Sequence, residues 1–414
     1  MKKIQSKWLV WLFFGCAFMI SFFHRYAIGV LSERLMEELT LTTGSLSLLS
    51  SLYFYTYGLM QLPSGLLVDA HGPRRVIVVG LSTVAVGAFL FIGFGSATVF
   101  TAIFVIQANW FRPNEFATIS GFTSLIGNLG GLAATTPLVW MAATIGWRST
   151  SLLSGIWTLL LAGLIFLFIQ DKPDSPDNHP RRGGQETKTA ETMPPAKTGL
   201  LKGMKVVLSA SSTWVNIVIL FTIFGSYMSF TGLWGSTYLI QVHGMPLSQA
   251  ANLIMTFLVG TMVGAPLIGL LSDRLGNRKN VLQMSIGLLT LFWGLLLFVL
   301  PGISTWWIMA PLLFLMGCMS ISGLLCFANT KEHHPPERVG IAVGMVNIAP
   351  FFGTALINTA VARMLGEAAA PVHYLRGGRV YFAACLLALL ASFFLTEAHA
   401  SRQGRQPGGE PVEK

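Results

Sequence analysis

Arg25 is the first residue whose chemistry stands out, because it lies inside an apolar stretch that runs from Trp8 to about Leu31. A guanidinium within a membrane span costs several kcal/mol unless it is paired, faces water or reaches the headgroups. Its planar fork can bind an anionic group through two parallel hydrogen bonds. Alternatively, Arg25 lies about six residues, or ~9 Å, beyond the middle of the span and reaches the outer headgroups. We take Arg25 as a candidate anion-binding residue and keep the second interpretation open.

His24 precedes this arginine and points ~100° away around a helix, so the two side chains do not easily share a face. An imidazole can titrate near neutral pH, although a structural role is the favoured interpretation here. Tyr53 and Tyr57 lie four residues apart in the next apolar stretch and therefore share one helix face. They could present hydroxyl groups to a solute, or they could only pack between helices.

Three further side chains in the second part of the chain could contact a solute. Trp234 and Tyr238 are also four residues apart and could form a wall that faces Arg25. Asn347 could hydrogen-bond a solute, but a bond between helices is the favoured interpretation for an asparagine in an apolar helix. The predicted solute-binding set is Arg25, His24, Tyr53, Tyr57, Trp234, Tyr238 and Asn347.

Motifs for catalysis and energy coupling are missing from the sequence. It has no G-x-x-x-x-G-K-[ST] phosphate-binding loop, zinc motif, nucleophile elbow or redox motif. The four cysteines lie in apolar runs without metal-ligand spacing. We therefore predict that the chain is not an enzyme and binds no metal or cofactor. No carboxylate is evident within the apolar stretches, which favours anion exchange or facilitated passage, or proton coupling through His24.

The composition indicates that lipid surrounds most of this chain. Hydrophobic residues make up 53% of its 414 residues, charged residues only 11%, and the mean hydropathy is +0.64. Soluble domains carry about 25% charged residues. The net charge is +10, and the basic residues lie between apolar stretches. This distribution is typical of orientation signals and lipid contacts rather than nucleic-acid binding. Eleven stretches have a length near the ~17 to 25 residues of a span: 8–31, 45–68, 76–95, 117–143, 149–170, 212–240, 249–272, 280–300, 303–328, 339–364 and 379–396.

A polar stretch divides the chain into two parts. Residues 171–205 are rich in Pro, Asp, Arg and Thr, which predicts a flexible cytoplasmic linker. The predicted organisation is an N-terminal helical bundle over residues 1–170, this linker, a C-terminal bundle over 206–398 and a disordered tail over 399–414.

One motif occurs in both parts, each time after the second apolar stretch of its half. An aspartate lies between two glycines, and cations follow the second glycine. A single copy would be unremarkable, but two copies at equivalent places indicate an internal repeat. The copies contain Gly65, Asp69, Gly72, Arg74 and Arg75 in the first half, and Gly269, Asp273, Arg274, Gly276 and Arg278 in the second.

These motifs resemble the loops of major facilitator superfamily (MFS) transporters. The resemblance implies an all-α polytopic membrane protein with twelve spans in two six-helix bundles, in which the two loops act as gates. Residues 110–115 and 329–337 resemble the matching loops after spans 4 and 10. Ala70 stands where the family usually has arginine. Residues 22–25 and 232–235 resemble bacterial permeases for sugar phosphates and organic anions.

The first half is short in the region of spans 3 and 4. Asp69 and Glu115 are 46 residues apart, whereas Asp273 and Glu337 are 64 apart. The difference of 18 residues corresponds to ~27 Å of helix. We predict that span 4, over residues 97–111, is markedly shortened.

The distribution of cations predicts the orientation. With twelve crossings and a cytoplasmic N-terminus, 21 Lys and Arg residues face the cytoplasm, five face outward and Arg25 lies in the membrane. This agrees with the excess of cytoplasmic cations in membrane proteins. The prediction is a multi-pass protein of the bacterial cytoplasmic (inner) membrane with both termini in the cytoplasm.

The predicted function is secondary active or facilitative transport of a small, anionic organic solute by alternating access. Protons or an exchanged anion are the predicted coupling partners, membrane lipid surrounds the chain, no nucleic acid binds, and the protein is a monomer. Two alternatives stay open: a carrier-like sensor or receptor without transport, and a degenerate, inactive member with a curtailed span 4.

Overall fold

The computed structural model describes residues 6–85, 89–111, 113–171, 200–334, 339–366 and 370–396. These residues form seventeen α-helices, and no β-strand occurs among them. The helices are α1 (Lys7–Val30), α2 (Ser32–Leu39), α3 (Thr43–His71), α4 (Pro73–Ala85), α5 (Phe89–Trp110), α6 (Pro113–Ala133), α7 (Thr136–Ile145), α8 (Trp147–Phe168), α9 (Leu200–Ser209), α10 (Ser211–Ser229), α11 (Gly235–His243), α12 (Leu247–Leu275), α13 (Arg278–Gly294), α14 (Trp306–Ser320), α15 (Leu324–His333), α16 (Val339–Leu365) and α17 (Pro371–Phe393).

Some of these helices join end to end. A π-helical segment, Phe230–Trp234, connects α10 to α11, so that Ser211–His243 is one rod. A second π-helical segment, Leu295–Val299, extends α13. A 3-10 turn, Ile321–Gly323, connects α14 to α15.

The apolar helices confirm the predicted all-α polytopic membrane architecture. Among the described residues, eight helices or rods are long and apolar enough to cross a membrane. A ninth is added if Phe122–Ala133 and Thr136–Ile145, bent by 41° at a short break, form one span. Lipid offers no partner to backbone N–H and C=O groups, so helices are the expected form. The count of twelve crossings is not confirmed.

The packing repeats between the two halves. In the first half α1 packs on α6, α3 on α5, and α4 on α8. In the second half α10 packs on α16, α12 on α14, and α13 on α17. When the long apolar helices are counted in chain order, with joined helices counted once, each packed pair of the first half has an equivalent pair six places later.

Both copies of the glycine motif lie at the same end of the bundle, which we call the turn end; the opposite end is the far end. Gly72 ends α3 with a φ of +79°, and Gly276 ends α12 with a φ of +60°. A positive φ is readily adopted only without a side chain, which explains glycine at both positions.

The two halves contact each other from the middle of the helices to the far end. The hydroxyls of Tyr26 and Tyr227 lie 3.0 Å apart, and those of Ser32 and Thr237 also lie 3.0 Å apart. Both pairs join α1 to the rod that contains α10 and α11. On the other side α3 packs along α16. The polar contacts described at the turn end each stay within one half.

One backbone approach between the halves is especially close. A Cβ atom added to Gly29 would lie 2.2 Å from the carbonyl oxygen of Gly232. Helix α1 and the π-helical segment Phe230–Trp234 therefore touch through their main chains. Only glycine at position 29 permits this distance.

Span 4 is shortened as predicted, but span 3 is shortened as well. Helix α5 runs from Phe89 and has 22 residues, starting well before the predicted residue 97. Helix α4 has only 13 described residues, against 22 for Arg278–Val299 in the second half. The equivalent of α5, Trp306–His333, has 28 residues. The missing residues are thus distributed over both helices. The apolar run over 76–111 gives no sequence signal for where α4 ends and α5 begins.

The predicted domain boundaries stay a prediction. Of the linker, residues 172–199 lie outside the described part of the chain, and so does the tail over 399–414. Helix α9, Leu200–Ser209, crosses the predicted boundary between residues 205 and 206.

Candidate functional site

Arg25 is buried in the contact between the two halves. Its side chain lies in the C-terminal part of α1, and the residue is only 7% exposed. Its Nε donates a hydrogen bond to the Tyr53 hydroxyl over 3.0 Å. The guanidinium therefore points towards α3 and not along α1 to the far end. This direction does not fit a side chain that reaches for headgroups.

Aromatic rings surround the guanidinium of Arg25. Its central carbon lies 4.7 Å from the ring centroid of Phe22, 5.0 Å from Tyr57, and 5.9 Å from both Tyr53 and Phe351. Rings at such distances attract a cation through their negative faces, with more effect where water is excluded. Phe351 belongs to α16 and the others to α1 and α3. The site is therefore built from both halves.

No carboxylate of the described residues lies within the 4.0 Å that defines an ion pair with Arg25. Phenol hydroxyls and ring faces stabilise a buried cation only in part, because they carry no full negative charge. An anionic group that reaches the guanidinium would supply that charge and accept its hydrogen bonds. The arrangement can therefore bind an anion.

Tyr238 packs within the second half and not on Arg25, contrary to the prediction. Trp234 and Tyr238 are both buried, and neither ring is among those that surround the Arg25 guanidinium. The Tyr238 ring packs 6.3 Å from Phe230, and its hydroxyl donates a hydrogen bond to the Leu296 carbonyl over 3.4 Å. The indole Nε1 of Trp234 has no hydrogen-bond partner among the described residues.

The π-helical segment explains this difference. With 3.6 residues per turn, Tyr227, Trp234 and Tyr238 would lie on one face. A π-helical turn holds an extra residue and rotates everything after it by ~100°. Tyr227 precedes the segment and contacts Tyr26 of α1, whereas the two predicted residues end or follow it.

His24 lies on another side of α1, as its position predicts. Its Nε2 is 3.3 Å from the Thr158 hydroxyl of α8. The imidazole lines a groove of about 450 Å³ between α1, α6, α7 and α8, whose walls are almost wholly apolar and include the exposed Trp157. It thus faces the outer surface of the first half and not the surroundings of Arg25.

A second asparagine of α16, rather than Asn347, connects the helices in the middle of the protein. Asn347 is half-buried. Asn358 is fully buried; its Nδ2 donates to the Ser50 hydroxyl over 3.1 Å, and its Oδ1 accepts from Ser229 over 2.6 Å. Ser229 also lies 3.0 Å from the Tyr381 hydroxyl. This chain of hydrogen bonds joins α3 of the first half to α16, α10 and α17 of the second.

The first glycine motif is held by Asp171, which lies in the predicted linker. The Asp171 carboxylate accepts a hydrogen bond from the Arg74 backbone N–H over 2.7 Å. There it caps the N-terminus of α4, where a negative charge is favoured. The Arg74 side chain packs on the Phe166 ring and donates to the carbonyl of Phe166. Asp171 is the first charged residue after an apolar span, a signal that could have identified it as a cap.

The second motif is held by an ion pair. Arg278 Nη2 lies 2.7 Å from Glu332 Oε1, and both side chains are about one-third exposed. Asn277 caps α13 by accepting from the Asn280 N–H over 2.7 Å.

The remaining gate residues have few neighbours or fall outside the described side chains. A Cβ on Gly65 or Gly269 would meet nothing within 4 Å. Arg75 and Arg274 are exposed. Asp69 and Asp273 lie in the last turns of α3 and α12, but their side chains lie outside the described part of the structure, so their predicted contacts stay a prediction.

Two equivalent asparagines repeat the same contact at the turn end of each half. Asn109 Nδ2 donates to the Asp171 carbonyl over 3.2 Å. Asn329 Nδ2 donates to the Thr396 carbonyl over 3.0 Å. Asp171 follows the end of α8 by three residues, and Thr396 follows the end of α17 by three. The internal repeat thus extends to individual hydrogen bonds.

A protein-family comparison identifies the architecture. The family model described as Major Facilitator Superfamily matches residues 13–358. Among solved structures, a bacterial homologue of the human lysosomal transporter Spinster, in an inward-facing and occupied conformation, superposes with a TM-score of 0.71 and covers 95% of this chain and 97% of its own. The identity of 14% means that this similarity concerns the fold alone.

Curated relatives include both transporters and a sensor. The probable sulfoacetate transporter SauU of Cupriavidus necator is 28% identical over 72% of this chain and 73% of its own. A probable hexose phosphate transport protein of Chlamydia trachomatis is 24% identical over 86% of this chain and 84% of its own. The membrane sensor protein UhpC of Salmonella typhimurium is 22% identical over 86% of this chain and 84% of its own.

Proposed function

This chain belongs to the Major Facilitator Superfamily and is a transmembrane transporter rather than an enzyme, and from this premise we propose that it carries a small organic anion by alternating access. The proposal keeps the predicted coupling by protons or an exchanged anion, and the location in a bacterial cytoplasmic membrane with both termini inside. It also keeps a monomer as the functional unit.

Arg25 is the observation that carries the proposal of an anionic solute. A buried cation without a carboxylate partner among the described residues is costly in a membrane. Its position between α1, α3 and α16 places it where the two halves meet. A solute that binds there would contact both halves at once, as alternating access requires.

The relatives support the same solute class. Sulfoacetate and hexose phosphate, which their names contain, are both anions. The structure itself supports a small solute with one or more oxyanion groups, because the guanidinium fork suits carboxylate, sulfonate and phosphate alike.

The distribution of contacts supports alternating access. The described contacts between the halves run from mid-membrane to the far end. We propose that the turn end, which holds the two gate motifs, is cytoplasmic, as the excess of cations there requires. The structure would then be closed outward, and opening would separate α3 from α16 and α1 from α11.

Uptake by purified protein in lipid vesicles tests this function. Radiolabelled sulfonates, hexuronates, sugar phosphates and neutral sugars are compared as a panel. We expect uptake of at least one anion and none of the neutral sugars. Arg25→Lys keeps the charge but loses the fork, so we expect its kcat/KM to fall on the order of tenfold or more. Arg376→Lys, an exposed arginine on α17, is the matched control and should be unchanged.

A carrier-like sensor is the second candidate, favoured by the similarity to UhpC. Such a protein would bind an anion at Arg25 but would not move it. Binding by thermal shift without uptake into vesicles would select this candidate over transport. The third alternative, a degenerate transporter, would show neither the thermal shift nor the uptake. Helix α5 has 22 residues, of which Ile92–Gln107 form its apolar part.

A further inference from the structure

A crevice at the far end separates α3 from α16 where the two halves otherwise touch. Its volume is about 380 Å³. One wall is the first turn and a half of α3, including Thr43 and Ser47, and the other is the last two turns of α16, including Thr359 and Arg363. It lies beyond Ser50 and Asn358, which connect the same two helices closer to mid-membrane, and is thus separate from the surroundings of Arg25.

Three hydroxyl groups lie along the face of α3 that meets α16, and the middle one is unused. Thr43, Ser47 and Ser51 are four residues apart and therefore share that face. Thr43 donates to the Gly366 carbonyl over 2.8 Å, and Ser51 donates to the Ala355 carbonyl over 3.1 Å. Ser47 is 2% exposed, and its hydroxyl has no hydrogen-bond partner among the described residues. A buried hydroxyl without a partner is destabilising, so a ligand that accepts a hydrogen bond from it would be favoured.

Among the described residues, the charges around the crevice favour a negative ligand. The 29-residue helix α3 begins here, capped by Thr42, which accepts from the Ser45 N–H over 3.1 Å. The N–H groups of Thr43 and Gly44 have no acceptor within the helix, and the helix dipole is positive at this end. Arg363 adds a cation from the opposite wall.

We propose that this crevice binds a small oxyanion, a sulfate, phosphate or carboxylate group from the aqueous phase, which bridges α3 and α16 and holds the far end closed. Its partners are the Ser47 hydroxyl, the first N–H groups of α3 and the Arg363 guanidinium. The ligand touches both halves, so it binds only while they touch. By linkage, an anion at ten times its Kd favours the closed far end roughly tenfold.

Crosslinking at the far end measures this closure. In the full chain without its four native cysteines, Ser32→Cys and Thr237→Cys replace two hydroxyls that lie 3.0 Å apart in the closed state. Crosslink yield is followed in lipid-free detergent as sodium sulfate replaces sodium chloride at equal ionic strength. We expect sulfate to raise the ratio of crosslinked to free protein by up to about tenfold.

The variants separate the crevice from general salt effects. Arg363→Gln and Ser47→Ala should abolish the response to sulfate, and the second removes only one hydroxyl, so it keeps the fold. Arg376→Gln, a far-end arginine that does not line the crevice, should respond like the unaltered chain. An equal response in the Arg363 and Arg376 variants would overturn the proposal. A response that needs phosphatidylglycerol nanodiscs and never occurs with sulfate in detergent would show a lipid headgroup as ligand and overturn the aqueous source.

Discussion

Gly29→Ala should release the closed far end, because the new methyl group has no room in the closed state. The added Cβ would lie 2.2 Å from the Gly232 carbonyl oxygen, 2.5 Å from its carbon and 2.7 Å from the Leu233 nitrogen. All three are main-chain atoms, so no side-chain rotation relieves the contact. A carbon and an oxygen of this kind pack at ~3.3–3.6 Å, so α1 must retreat by about 1 Å.

The cost of this retreat applies to one state only. Overpacking of a well-packed contact costs ~1–3 kcal/mol. The higher helix propensity of alanine acts in both states and cancels. We therefore expect the ratio of open to closed protein to rise by about 5- to 150-fold. Alanine at position 232 on the other side of this contact should not have the same effect, because a Cβ on Gly232 would meet only Tyr26 Cδ1, at 4.0 Å.

Cysteine accessibility from the far end checks this magnitude. Ser51→Cys, in a background without native cysteines, places a thiol at a position that is 1% exposed in the closed state. Its labelling rate by a membrane-impermeant maleimide follows the open population. Gly163→Ala is the matched control, since α8 leaves nothing within 4 Å of the added carbon. Equal labelling rates in the Gly29 and Gly163 variants would refute the reasoning.

Two further predictions concern the turn end. Gly72→Ala should lower the melting temperature of the detergent-solubilised protein, because the backbone there has a φ of +79° and the added Cβ would lie 2.7 Å from Asp171 Oδ2. Gly65→Ala is the control and should leave the melting temperature unchanged, since its Cβ would meet nothing within 4 Å. Equal melting temperatures of the two variants would contradict the role assigned to Asp171. Arg278→Gln should cost no more than about 1 kcal/mol in unfolding by denaturant, since its ion pair with Glu332 is about one-third exposed. The charge-swapped pair Arg278→Glu with Glu332→Arg should recover most of that loss, and failure to recover would show that the two side chains act independently.

The sequence contained enough to predict the helical architecture and the repeat. Glycines with positive φ are required at the ends of α3 and α12, and two such motifs at equivalent places reveal the duplication. The boundary between α4 and α5 could not be placed, because the apolar run over 76–111 contains no charged residue. Only the distance from Asp69 to Glu115, compared with that from Asp273 to Glu337, carried information. It gave the number of residues that the first half lacks but not which helix lacks them.

The site was predicted in part for a similar reason. Arg25 is identifiable because a cation in an apolar helix needs a partner, and Tyr53 follows from the spacing on α3. Trp234 and Tyr238 were placed with the period of an α-helix, and a π-helical segment has no signature in the sequence that would reveal it. Phe351 could not be found at all, because one phenylalanine among 29 does not stand out.

The paired contacts of Asn109 and Asn329 have a consequence for how such a protein can be encoded. Each asparagine binds the chain three residues after the last helix of its own half. Among the described residues, the polar contacts at the turn end stay within one half. The halves meet instead through α1, α3 and their partners near the far end. Two genes, one ending after Asp171 and the other starting at α9, should therefore yield polypeptides that assemble in the membrane. A gene duplication followed by fusion would have passed through such a two-chain stage. The contacts between the halves near the far end are those that would hold the two chains together.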